Sequence, residues 1–145
     1  MNRIKIEMPG EFLFVRGVRG CIANIAHNFA FSDREIYHIE TIVDEVCNNA
    51  IEHGGKKSEK PEENIIRLDC VFDAGKLELA VTDKGGEGFD LAEMIESNRK
   101  LAEDAVNFNR RGRGLLIVYK FVDDLDVSTN SEGTTVRLLK RAKNN

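Results

Sequence analysis

Nowhere does this 145-residue sequence contain a run approaching the roughly 18 apolar residues that a membrane span requires. Its N-terminus lacks the charged-then-apolar layout of a secretion signal. Cysteine is sparse. Cys21, Cys47 and Cys70 are odd in number and widely spaced, which argues against a disulfide framework or a zinc site. It suits reduced cytosolic thiols, each expected as a small buried apolar side chain. A strong charge of one sign is missing too. The formal net charge of -4 is mild, and the one basic run, Arg110, Arg111 and Arg113, is too short for a nucleic-acid groove. Neither nucleic acid nor a membrane surface is therefore expected as a direct partner, and the expected location is cytoplasmic. No internal repeat, low-complexity tract or domain boundary is visible.

What is present is the composition of a globular protein, 41% hydrophobic and 32% charged. The length suits one domain, 1–145, around a single core. "IKIEM" (4–8) alternates as a strand and is broken by Pro9-Gly10. Val15, Val18, Ile22, Ile25 and Phe29 follow at helical spacing. Gly17 and Gly20 weaken that helix, which points to close packing or a mobile start. "SDRE" (32–35) is a capping box, opening a second helix from about Asp33 to His53 that Gly54-Gly55 ends. "IIRLDCVF" (65–72) and "KLELAVTD" (76–83) read as a hairpin around Asp73-Ala74-Gly75. From Glu87 to Arg111 the chain is polar, with a weak helical patch at 91–101. An apolar helix is expected over 114–122, then strands at 125–130 and 134–140 around Ser131-Glu132-Gly133. The simplest layered solution is an α/β two-layer sandwich. It has about five strands, mixed but mainly antiparallel, with three helices on one face. The other sheet face is then solvated or covered by a partner.

Four short stretches carry chemistry. On the second helix Ile36, Ile39, Val43, Val46 and Ala50 form an apolar stripe, with Glu45, Asn49 and His53 in register along one flank. A carboxylate there can take a proton, and an amide oxygen one turn on can ligate a hard cation. In "TDKGGEGFD" (82–90), Asp83 ends a strand and Gly85, Gly86 and Gly88 allow the close backbone approach a planar ring needs. In "RRGRGLLIV" (110–118), Gly112 and Gly114 flank Arg113 before the apolar helix, where free N–H groups and the helix dipole favour anions. No Gly-Lys-Ser/Thr follows, so this is not a P-loop. In "EGTTV" (132–136), Thr134 shares a strand face with Val136 and Leu138 and points inward.

Taken in order, "EVCNNAIEHG", "DKGGEG", "GRG" and "GTT" resemble the N box and three glycine boxes of the GHKL ATPases. That group holds gyrase, histidine kinases, heat-shock chaperones and mismatch-repair proteins. The likeness is strongest to the bacterial anti-sigma-factor serine/threonine kinases and covers roughly 10–140. It implies the Bergerat ATP-binding fold, with ATP and Mg2+ as cofactors. Glu45 would be the general base and Asn49 the magnesium ligand, while Asp83 would bind the adenine amine, helped by Thr134 through a water. Gly85 and Gly88 would shape the base pocket, and Gly112, Arg113 and Gly114 would cradle the phosphates under a lid at 89–111. "DKGGEG" has one residue more than the usual Asp-x-Gly-x-Gly, which bears on Gly88. His53 carries no assigned role.

The implied partners are a sigma factor or similar regulator, an anti-anti-sigma antagonist of STAS type as substrate, and a second copy in a homodimer. The glycine-bearing first helix is a candidate docking or dimer surface. The alternative is a nucleotide-gated binding module of the same fold without kinase activity. A sensor histidine kinase is disfavoured, because only about thirty residues precede the N-box helix, too few for a dimerising hairpin, although His27 lies in the first helix.

Overall fold

The structure, a computed structural model, describes residues 2–54, 63–85 and 110–143, and of these leaves aside the side chains of residues 53–54 and 110–113. Gly88, the patch at 91–101 and nearly all of the expected lid at 89–111 lie outside the described residues, as does the His53 side chain.

The elements run β1 (Asn2–Pro9), a single 3-10 turn (Phe12–Phe14), α1 (Val15–Ala26), α2 (Asp33–Gly54), β2 (Ile65–Asp73), β3 (Lys76–Asp83), α3 (Arg110–Phe121), β4 (Asp124–Asn130) and β5 (Gly133–Arg141). The sheet order is β1-β2-β3-β5-β4. The mixed sheet allowed for above becomes a purely antiparallel one among the described residues. The physical reason is connectivity. Hairpins join β2 to β3 and β4 to β5, and the remaining neighbours also run in opposite senses, so no parallel crossover is needed.

One face of the sheet is apolar because β2, β3 and β5 alternate. Ile66, Leu68, Cys70 and Phe72, then Leu77, Leu79 and Val81, then Val136 and Leu138 are all buried. They form a single core with the expected α2 stripe of Ile36, Ile39, Val43, Val46 and Ala50. The opposite face is polar, with cross-strand ion pairs Arg3–Asp69 at 3.2 Å and Arg67–Glu7 at 2.8 Å.

The capping box forms as the sequence indicates. Ser32 N donates to Glu35 Oε1 (2.9 Å) and Glu35 N donates to Ser32 Oγ (3.2 Å), closing the start of α2. Arg19 of α1 bonds Asp44 of α2 at 2.6 Å. Phe29, just past α1, stacks on Phe72 with ring centroids 5.1 Å apart.

Two sequence expectations change. A Cβ built at Gly17 or Gly20 meets nothing within 4 Å, so neither glycine serves close packing. Cys21 is exposed, because it falls off the α1 stripe that buries Val15, Ile22, Ala23 and Ala26. Cys47 and Cys70 are buried as expected, and burial pushes both thiols up to about 12. They are inert packing groups. No helix among the described residues is long and apolar enough to cross a membrane.

Candidate functional site

The register of the sheet fixes where the functional side chains meet. Asp83, the last residue of β3, is the direct partner of Thr134 on β5. At the other end of the same pairing, Leu77 faces Lys140. Glu35 in the first turn of α2 accepts a hydrogen bond from Lys143 N at that far end. Helix α2 therefore runs toward Asp83 and Thr134, carrying Glu45 and Asn49 to their end of the sheet.

Asp83 is 2% exposed, and its Oδ1 accepts from Gly85 N at 2.6 Å. Burial raises the carboxyl from 3.8 to about 6, with the Gly85 amide opposing. The Thr134 hydroxyl, equally buried, donates to Gly85 O at 2.8 Å and meets Thr129 Oγ1 at 3.1 Å. Asp83 and Thr134 thus clamp the turn at Gly85 from its amide and its carbonyl. That clamp shapes a polar floor at the sheet end.

Above the floor, Asn49 is 7% exposed, and its amide has no hydrogen-bond partner among the described residues. The amide is not among the fully buried unsatisfied groups, so it stays open to a ligand from outside the protein. One turn earlier, the Glu45 carboxylate lies directly against Gly114, where any Cβ would collide with it. Helices α2 and α3 approach here because residue 114 has no side chain.

The phosphate-side expectation changes in detail. The apolar helix was placed from residue 114, but α3 starts at Arg110. Gly112 and Arg113 therefore lie inside its first turn rather than in a flanking loop. The first four N–H groups of a helix have no intrahelical partner, so the amides open to an anion are those of the opening turn. The Gly114 amide follows them in the ladder. Gly114 acts through its missing side chain, by admitting Glu45.

Two residues of the site have no role assigned to them from the sequence. Gly133, at φ 143°, presses on Asp83's carbonyl so closely that a Cβ would overlap it. Only glycine combines that conformation with that approach. Thr129 braces Thr134 across the β4–β5 hairpin. Once β3 and β5 are taken as partners, the glycine before "TT" falls beside Asp83, and that was the available signal.

ATP with magnesium can be tested against these groups. Asp83 has one carboxylate oxygen unused among the described residues, as an acceptor for an exocyclic amine requires. Asn49 offers an amide oxygen with no hydrogen-bond partner among the described residues. No group of three His, Cys, Asp or Glu side chains among the described residues is placed to hold a metal ion. A single amide oxygen is the kind of ligand that suits a hard cation arriving with phosphate oxygens and keeping its waters. The residues fit the pair.

The family description "Histidine kinase-like ATPase domain" matches residues 13–140. The serine-protein kinase RsbW of Bacillus pumilus (strain SAFR-032) is 27% identical over 142 residues, covering 97% of this chain and 86% of the relative. The anti-sigma F factor of Bacillus cereus (strain G9842) is 31% identical over 111 residues, covering 76% and 72%. Among solved structures, the SiaB–SiaC complex from Pseudomonas aeruginosa contains a chain superposing with TM-score 0.70 at 15% identity, over 94% of this chain and 88% of that one. The RsbU and RsbW domains of Rv1364c from Mycobacterium tuberculosis give 0.68 at 18% identity; the match covers 97% of this chain and 32% of that longer one. These two likenesses concern the fold. On the family match and the anti-sigma F relative, the chain belongs to the histidine kinase-like ATPase domain family, in the branch that holds the RsbW serine kinases and the anti-sigma F factors.

Proposed function

We propose that the chain is a partner-switching serine/threonine kinase and anti-sigma factor. It holds a sigma factor or similar regulator and phosphorylates a serine or threonine on an antagonist of STAS type. The observation that carries the reading is the amide of Asn49, in a largely buried residue and without a hydrogen-bond partner among the described residues, one helical turn from a carboxylate seated against Gly114. That arrangement supports Asn49 as metal ligand beside Glu45 as base. The relatives' names, serine-protein kinase and anti-sigma F factor, support the same class.

Magnesium-bound ATP supplies the transferable phosphoryl group and neutralises its charge. The chain's residues do the positioning. Asp83 accepts from the adenine amine through its free oxygen, with Thr134 and Gly85 keeping it in place. The opening turn of α3, including Gly112 and Arg113, offers amides to the phosphates. Asn49 would hold the metal. Glu45 would orient the incoming hydroxyl and take its proton as the hydroxyl oxygen bonds to the γ-phosphorus and the bond from that phosphorus to the bridging oxygen breaks, ADP leaving. A second copy in a homodimer completes the assembly.

Labelled ATP, magnesium and the cognate antagonist test the proposal. Wild type should transfer label to serine or threonine, and Glu45→Gln should lose transfer while still binding nucleotide. Nucleotide binding without transfer by wild type would refute the kinase and leave a nucleotide-gated binding module.

A further inference from the structure

At the end of the molecule away from Asp83, a cavity of about 410 Å³ opens between the start of α2, the end of α3 and the last residues of β5. Four cations line it: Arg34, Lys120, Lys140 and Lys143. The two acids beside them, Glu35 and Asp123, are already engaged by backbone. Glu35 accepts from Ser32 N at 2.9 Å and Lys143 N at 2.8 Å. Asp123 accepts from Arg141 N at 2.7 Å. None of the four cations forms an ion pair among the described residues. Four positive charges against two negative ones leave the cavity at formal +2, in a chain whose net charge is -4.

Lys140 is the unusual member. It sits on the core-facing side of β5 at 5% exposure. Of its three N–H donors, one is used, on Phe121 O at 2.7 Å. Buried charges are ordinarily paired. Its one hydrogen bond among the described residues is to the carbonyl at the end of α3, which suits a cation, and Asp123 and Glu35 act on its charge from nearby without forming an ion pair with it. His38 forms a wall of the cavity, its ring stacked 4.2 Å from that of Phe121. Burial lowers His38, Lys140 and Arg34 lower it further, and Lys143 adds to them against the opposing Glu35. The site's own charges thus work against a further proton.

We infer that this cavity binds a small anion of at least two charges, of the phosphate or pyrophosphate class, at a place separate from the nucleotide site. Its chemistry is that of a phosphate pocket. Arg34 offers a planar fork, Lys140 a buried ammonium with donors to spare, and Lys120 and Lys143 close the rim.

The probe is inorganic pyrophosphate, added to full-length protein and followed by amide and imidazole NMR. Chloride at matched ionic strength is the control. The expected result is saturable shifts of the Ser32, His38 and Lys143 signals at up to about 10 mM. The His38 pKa should rise on binding, because the anion offsets the neighbouring cations. Arg34→Gln, an exposed change, should weaken binding at least fivefold and shrink the His38 response. Lys140→Met, which keeps an unbranched apolar stem, should weaken it further. Shifts reproduced by chloride, shifts confined to Asp83, Gly85 and Gly114, or unchanged affinity in Arg34→Gln would overturn the inference.

Discussion

Replacing Asp83 by asparagine should make the free protein more stable and a poorer holder of nucleotide. The reasoning begins with burial. At 2% exposure the carboxyl is pushed from 3.8 to about 6, so the folded state binds a proton more tightly than the unfolded one. The sign follows from linkage. The contribution is fully present below the unfolded value and is lost as pH rises through about 6. A gap of about 2 units corresponds to about 3 kcal/mol. Asparagine keeps the oxygen that accepts from Gly85 N without the charge. Urea unfolding of both proteins should show nearly equal stability at about pH 4 and a variant ahead by up to about 3 kcal/mol at about pH 8. Measuring the difference between the two proteins cancels the other titrating groups. In the same variant the free carboxylate oxygen is gone, and a hydrogen bond to a charged acceptor is worth about 1.5–3 kcal/mol. ATP affinity by calorimetry should therefore fall roughly tenfold to a hundredfold. A variant less stable than wild type at the higher pH would refute the burial argument. A variant that binds ATP as wild type does would refute the adenine role.

Asn49→Ala removes an amide with no partner among the described residues, so the melting temperature should stay within about 2 °C. The magnesium-dependent part of ATP affinity should drop at least about tenfold, and calorimetry with and without magnesium separates the two. Gly114→Ala should drive a methyl group into the Glu45 carboxylate. Phosphoryl transfer should fall by about tenfold or more with the far-ultraviolet circular dichroism unchanged, since a 1 Å displacement of a catalytic group has an effect of that order or larger. Gly20→Ala fills open space on a helix and should add up to about 1 kcal/mol in urea unfolding, whereas a loss would mean that the residue packs on something.

The sheet was readable because its strands alternate. Leu77, Leu79 and Val81 and their partners Leu138 and Val136 announce both the elements and the buried face. Helix α2 was equally plain from its capping box and stripe. The start of α3 was not, because "RRGRG" carries two residues of poor helix propensity. Its helical form belongs to packing against α2, where Gly114 meets Glu45. The role of Gly133 was hidden for a related reason. It depends on which strands pair, a long-range fact that local pattern does not contain. Glu45, Asn49, Asp83 and Thr134 were singled out by residue type and spacing. Their convergence on one end of the sheet became visible only in the register. The cationic cavity joins α2, α3 and β5, elements far apart in the chain, and no motif marks it.

The strand order has a consequence for how the protein moves. Asp83 and Thr134 sit on β3 and β5, each flanked by a strand on both sides. Opening the sheet there requires dismantling its middle, so amide hydrogens around Val81 and Val136 should exchange with solvent only by global unfolding. The groups assigned to the adenine are anchored to the most durable part of the molecule. Those assigned to the phosphates begin a peripheral helix. Recognition of the base is therefore built on a rigid frame, and any adjustment that accompanies transfer falls to the other side of the site.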